Sequence, residues 1–284
     1  MVKNIFKNAY VYLILFLMYL PILVLIAFSF SANDVVSFSQ PYNFTTELYS
    51  NLFSNSNVAQ DIWKAVGNTV IIAVISALIS TIIGTLGAIG VFYSKKRTRR
   101  VIEGITQIPV ANAEIVIALS LTVMFVFLGT YIFKNNIFSF WTLLIGHVVL
   151  SIPFVYLSVK PKLQQMDPFL YEAALDLGAR PTQGLTKVIV PQILPGIFSG
   201  FLLSITLSLD DFIVTEFTRG SGLLSEDAAI ETLSTYIQTS LKKHAVPREL
   251  RPLTLFIFIA VLLVVIGIII LKSRTEKRKI RRNF

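Results

Sequence analysis

Three carboxylates sit inside long apolar runs: Glu114 in "ANAEIVIALS" and the adjacent pair Asp210 and Asp211 in "SLDDFIVTEF". An aspartate at the centre of a membrane helix costs roughly 2.5–3.5 kcal/mol on insertion scales, so such a group normally faces protein or a watery cavity. Carboxylates in a low-dielectric wall suit two kinds of chemistry. They replace water around a passing cation, or they hold a hard cation for catalysis on a lipid phosphate. The second use would draw on Asp210, Asp211 and Glu216, and it needs basic residues to receive the phosphate. Here the pair lies among Ile205, Leu207, Leu209, Phe212 and Ile213, and Arg219 beyond Glu216 reads as its partner in an interfacial ion pair. Glu114, Asp210 and Asp211 are therefore candidates for a solute pathway. The bland use of such acids is hydrogen bonding at helix ends against a partner subunit. Successive helical residues point about 100° apart, so Asp210 and Asp211 cannot both face one lumen squarely.

A second stretch is polar where the chain is otherwise greasy: "EAALDLGARPTQGLTKVIVP", residues 172–191. Asp167 before Pro168 is a helix start, a capping side chain followed by a residue whose missing N–H costs nothing at the first position. Gly178 is the matching stop. Between them Ala173 and Ala174 lie at the centre, with Glu172 and Asp176 one turn apart, in a helix too short and too polar to span a bilayer. Pro181 and Thr182 open a second helical piece whose Leu185, Val188 and Ile189 are expected against the membrane. Pro191 and Pro195 are expected to break or bend the start of the next span. A helix of about ten residues is marginal in water, so this hairpin needs something to dock against.

The scaffold that must position these groups is an all-α integral membrane protein. The 284 residues are 54% hydrophobic and only 14% charged, with a mean hydropathy of +0.71. The apolar runs reach the roughly 20 residues that cross a hydrocarbon core of about 30 Å, and they neither alternate nor stay as short as barrel strands. Six spans are expected, at 10–30, 66–93, 105–128, 140–159, 193–217 and 253–271. Span two carries Ser76, Ser80, Gly84 and Ala88 at four-residue spacing, plus Gly87, a stripe that lets another helix approach closely. The first run follows Lys3 and Lys7 but is long for a signal peptide and shows no small-residue cleavage site, so it reads as a retained anchor. Segments 31–65 and 219–252 lie outside the membrane, the second with Leu233, Tyr236, Ile237 and Leu241 at helical spacing. No cysteine occurs, which excludes disulfides and thiolate metal sites, and His147 and His244 are isolated residues of packing or loops. No G-x-x-x-x-G-K-[ST] occurs, and "GTLGAIG" lies within a helix, so neither supplies a phosphate loop.

The net charge of +9 is a topology signal. With the N-terminus in the cytoplasm, 18 of the 25 basic residues fall on the inner side, including "KKRTRR" at 95–100 and seven in the tail 272–284. The positive-inside rule then places both termini and the hairpin in the cytoplasm, with some attraction to anionic lipid and no call for nucleic acid.

Glu172-Ala173-Ala174, Gly178 six positions after the glutamate, and Ile189-x-Pro191 resemble the EAA loop of the membrane subunits of bacterial ABC importers. Val190 stands where that family usually has leucine. "SLDDFIVTEFTRG" and "AEIVIALSLTVMF" are similar to the PotC-type permeases of spermidine/putrescine transporters. The resemblance covers most of the chain, from about Ala65 to the last span. It implies a type I importer permease (MetI-like) fold in one transmembrane domain, with first helix 10–30, permease core 66–271, coupling loop 167–191 and basic tail 272–284. It also implies a bacterial plasma-membrane location and no catalysis by this chain. A dimeric ABC ATPase would bind ATP and Mg and grip the loop through Glu172, Ala173, Ala174, Gly178, Ile189 and Pro191. A second, related permease would complete the passage, and an extracytoplasmic binding protein would deliver the solute. For a polyamine, Glu114, Asp210 and Asp211 would replace water around the ammonium groups. An importer for another small solute, or a membrane enzyme with a carboxylate-held metal, remain the alternatives.

Overall fold

Lipid offers the backbone no hydrogen-bond partner, so a chain this apolar must bond its peptide groups within each segment. A computed structural model describes residues 2–33, 43–219, 230–242, 247–259, 262–263 and 266. Among these, every extended element is helical, and the one β-bridge joins Ser31 to Phe44. Five helices are long and apolar enough to cross a membrane: Tyr10–Ser29, Asn57–Phe92, Glu114–Phe133, Phe140–Gln165 and Pro181–Asp210. The expected sixth span begins as an apolar helix at Leu250–Ile259. Most of the rest of it, and the tail 272–284, lie outside the described residues.

The chain divides into two compact units. One comprises residues 1–62 and 240–284. Its helix α1 (Val2–Ser29) leaves most of its surface open, Tyr12 and Met18 among the most exposed, as a lipid-facing anchor does. Beyond it Phe30 stacks on Phe44 and on Tyr49 of α2 (Glu47–Leu52), with ring centroids 5.6 and 5.0 Å apart. Phe256 of the Leu250–Ile259 helix meets Tyr49 and Phe53 edge-on, each at 5.9 Å. Arg251 donates to the Asn33 carbonyl at 2.8 Å. Arg248 donates likewise to the Ala32 carbonyl at 3.2 Å, so the junction is held by aromatic faces and two arginines.

The other unit, residues 63–239, contains the rest of α3 (Asn57–Phe92), α4 (Lys96–Ala111), α5 (Glu114–Phe127, continued by a π-helical turn to Phe133) and α6 (Phe140–Gln165). After these come α7 (Leu170–Asp176), α8 (Pro181–Gln183), a π-helical stretch Gly184–Ile189, α9 (Val190–Asp210), α10 (Ile213–Thr218) and α11 (Leu233–Lys242), which runs past its end. Helix α6 is the hub, with thirteen buried residues between Thr142 and Leu163. Val155 is wedged between two glycines. A Cβ on Gly84 of α3 would come within 2.8 Å of its side chain, and one on Gly200 of α9 within 3.1 Å of its Cα. Ser76 and Ser80 of α3 meet Ser208 and Ser204 of α9 at 3.2 and 3.3 Å. The small stripe of α3 is therefore a packing seam, except at Gly87, which faces open space. Its counterpart on α9, Gly196, Gly200, Ser204 and Ser208, repeats the same four-residue spacing.

Three expectations need correction. Span three is not one helix from 105 to 128. Asn112 (φ −81°, ψ 151°) and Ala113 (φ −65°, ψ 137°) are extended, so α4 and α5 are separate pieces. Span five is likewise cut at Asp211 (φ −65°, ψ 124°). Pro191 and Pro195, by contrast, do not break the helix before them: Pro181–Asp210 runs through 30 residues. A proline removes an N–H and crowds the turn before it, and the π-helical stretch Gly184–Ile189 just ahead of Pro191 takes up that misfit without ending the helix.

Candidate functional site

Two regions of the 63–239 unit carry the candidate residues. The first is the hairpin after α6. Asp167 accepts from the Phe169 N–H at 2.9 Å and starts α7 two residues later than the sequence pattern places it. Gly178 closes the helix with φ +87°. The Ala179 N–H reaches the Ala174 carbonyl at 3.0 Å and the Gly178 N–H reaches Leu175 at 2.8 Å, the paired bonds of a Schellman stop. Arg180 N–H then bonds the Gln183 side chain at 3.1 Å to restart the chain as helix.

The hairpin has two unlike faces. Tyr171 fits against Gly184, where an added Cβ would come within 3.0 Å of its ring, and meets Tyr93, just past the end of α3, at a 48° tilt with centroids 5.4 Å apart. Burial raises the Tyr93 pKa, with Tyr171 and the Glu172 charge adding to it. Ile189 is fully buried in the core beneath, and Leu185 and Val188, half-buried, pack against that core. On the other face Phe169, Glu172, Ala173, Asp176 and Leu177 are exposed, Leu177 at 89%. Pro191 is exposed too, while Ala174 is half-buried. Of the six positions expected to couple, Ile189 is enclosed in the core beneath the hairpin.

Helix α4 is tied down beside it. Glu103 receives Arg99 Nε at 3.0 Å and lies 3.2 Å from Lys160 of α6. Hydrogen bonding from Arg99, then from Lys160, holds the Glu103 carboxyl below its ordinary pKa.

The second region is formed by the two interrupted helices. Glu114 is the first residue of α5 and Asp210 the last of α9; both are exposed. Glu114 lies within electrostatic reach of Asp211 and Asp210. Asp211 is different. It is 6% exposed, and its carboxylate accepts from the N–H groups of Val214 (3.1 Å) and Thr215 (2.8 Å) and from the Thr215 hydroxyl (2.8 Å), capping α10. Helix α10 is pinned on both sides. Thr122 of α5 donates to Phe217 O at 2.8 Å, and Thr142 of α6 donates to Thr218 O at 3.0 Å. Glu216 and Arg219 form the expected ion pair at 2.6 Å. Among the described residues, no three Asp, Glu or His side chains are grouped to hold a metal.

The charges at the break have a definite sign. The positive N-terminal ends of α5 and α10 already have Glu114 and Asp211 in place. The negative C-terminal end of α9, whose last carbonyls lack intrahelical partners, carries Asp210 itself. Such a break suits a cation. Sequence reasoning missed His147, Ser208 and Thr215, all buried behind it. The available signal was a lone imidazole and hydroxyls at three- and four-residue spacing inside apolar runs.

Residues 80–280 match the family model described as the inner membrane component of binding-protein-dependent transport systems. The chain belongs to this family. It is a permease subunit of an ABC importer, a multi-pass transport component and not an enzyme, and in such systems a partner ATPase handles ATP. The permease is 31% identical to the spermidine/putrescine transport system permease protein PotC of Haemophilus influenzae over 95% of its own length and 98% of the relative's. It is 30% identical to PotC of Escherichia coli, covering 97% of each, and 28% identical to the putrescine transport system permease protein PotI of that organism, covering 93% and 89%. Among solved structures, a bacterial ABC transporter involved in the import of the acidic polysaccharide alginate aligns with TM-score 0.62 over 96% of each chain, at 16% identity. That likeness speaks for the fold.

Proposed function

We propose that this permease forms half of the membrane passage of an importer for polyamines, spermidine and putrescine among them. The observation that carries the reading is the sign of the break. Asp210, at the C-terminal and negative end of α9, is exposed and within electrostatic reach of Glu114, while Asp211 is taken up in capping α10. An ammonium group leaving water needs carboxylates or carbonyls in its place. A flexible polycation, which exchanges its hydration one ammonium at a time, fits a site of that kind. The relatives of nearly equal length, named for spermidine and putrescine, support the same cargo. Asp210, not Asp211, is the pathway residue of the pair.

The open face of α7, with Glu172 and Ala173, is the seat of an ABC ATPase dimer that binds ATP and Mg. A second, related permease covers the exposed inner surfaces of α4, and an extracytoplasmic binding protein delivers the solute from the far side. Both chain termini lie in the cytoplasm, on the hairpin's side of the membrane, as the basic residues indicate.

The test is uptake by the assembled importer in vesicles charged with ATP. Spermidine or putrescine should accumulate, and Asp210→Asn should reduce that uptake at least tenfold while basal ATP hydrolysis stays near the parent's. ATP-driven transport of a different solute, indifferent to polyamines, would leave the importer and remove the cargo.

A further inference from the structure

His147 of α6 is 1% exposed and lies against the break without lining it. Its Nε2 is 2.9 Å from Thr215 Oγ1 and 3.7 Å from Asp211 Oδ2, and its Nδ1 is 2.8 Å from Ser208 Oγ. Ser208 meets Ser76 Oγ at 3.2 Å. The single Thr215 hydroxyl proton goes to the Asp211 carboxylate, which as an ion can only accept. Thr215 then has lone pairs to offer, so the network assigns the imidazole proton to Nε2, donating to Thr215. Nδ1 is left as an acceptor for Ser208, and Ser208 for Ser76. The donors thus run from Ser208 of α9 through His147 of α6 to Thr215 of α10 and end on Asp211, while Ser76 divides its one proton between Ser208 and the Ala73 carbonyl, each at 3.2 Å.

Asp211 and Asp210 are neighbours in sequence but opposites in exposure. Adjacent side chains at a helix end diverge by about 100°, so whatever fixes one direction fixes the other. We infer that His147 is the positioning residue of the solute site: by holding Thr215 against Asp211 it keeps Asp211 inside the helix junction and thereby turns Asp210 outward into the passage. This rests on the pathway role proposed for Asp210, and it adds a residue that touches neither solute nor partner.

The chain has no cysteine, so the direction of position 210 can be read by labelling and without reference to cargo. In the assembled complex, Asp210→Cys is treated with a small cationic thiol reagent, in the parent and in His147→Gln, His147→Asn and His147→Leu backgrounds. Gln places an amide N–H where Nε2 was and keeps the link to Thr215. Asn keeps an acceptor where Nδ1 was and loses that link. Labelling should slow about tenfold with Asn and with Leu, the cost of one such hydrogen bond, and stay within about twofold of the parent with Gln. In a chain that retains Asp210, His147→Asn should raise the half-saturating spermidine concentration about tenfold and leave the maximal rate unchanged.

Thr215→Val removes the His147 link together with the hydroxyl's own bond to Asp211 and must slow labelling at least as much as Asn; labelling at the parent rate in that variant would overturn the inference even if an Asn complex fails to assemble. Equal labelling in all three backgrounds, or Gln behaving like Leu, would make His147 a packing residue and overturn the inference. Failure of the parent complex to take up any polyamine, with the labelling pattern intact, would instead overturn the cargo reading and leave the positioning role standing.

Discussion

Two of the abrupt helix ends in the permease are made with opposite chemistry. At the hairpin the stop is Gly178, a residue with no side chain, and the turn around it is bonded by backbone alone. At the buried junction the stop is Asp211, a charged side chain that accepts three hydrogen bonds. Water explains the difference. Around α7 any peptide group left over is solvated, so the cheapest turn suffices and one face stays free for a partner. Between α9 and α10 no solvent is at hand, and an unsatisfied N–H there costs about 1–3 kcal/mol, so the chain must bring its own acceptor. A helix end in water can be left open for another protein, whereas the buried N-terminal end of α10 is closed by the chain itself.

Breaking the dry stop should have the largest effect. Asp211→Ala strands the Val214 and Thr215 N–H groups, and the loss should reach about 3 kcal/mol, seen as a collapse in monodisperse yield after heating in detergent. A loss below about 1 kcal/mol would mean that α10 does not depend on its cap. Glu172→Lys tests the free face of the wet stop. Thermal stability should match the parent because the side chain is exposed, while the yield of co-purified ATPase falls at least tenfold. Retention of the ATPase at full yield, with uptake, would disconnect α7 from energy supply. Gly178→Ala forces a Cβ into φ +87° and should cost roughly 1–2 kcal/mol locally, measured as faster amide exchange confined to 170–179.

The smallest effect belongs to Glu103, which sits at the watery margin with a partner on each side. Its carboxyl pKa is lowered in the folded state, so the clamp contributes above the ordinary carboxylate value of about 4.3 and is lost as pH falls through the lowered one. Glu103→Gln should therefore cost less than about 1 kcal/mol at pH 7, and the gap to the parent should close on acidification. A gap that widens in acid would reverse the sign of the linkage.

The same contrast explains what could be read from the sequence. Asp167, Gly178 and Pro181 announced the hairpin because caps in water obey local rules. The spans were legible from length and apolarity. The interruption at Asn112 and Ala113 was not, since neither residue is a strong breaker and hydropathy averages over the whole run. Nor could the sequence tell Asp210 from Asp211. That choice is made by groups three and four residues on, Val214 and Thr215, and by His147 more than sixty residues earlier. Ile189 was grouped with the coupling positions because it belongs to the motif, but only the packed structure shows it under the hairpin and out of a partner's reach.

The unbroken run from Pro181 to Asp210 joins the two stops. Thirty residues at 1.5 Å each make a rod about 45 Å long, with the hairpin at one tip and the outward-facing carboxylate at the other. Tilting such a rod by about 5° displaces its far tip by about 4 Å, comparable to the diameter of an ammonium group with its first ligands. On the proposed roles of the two tips, a modest rotation imposed at the hairpin becomes, by geometry alone, a change of coordination around Asp210.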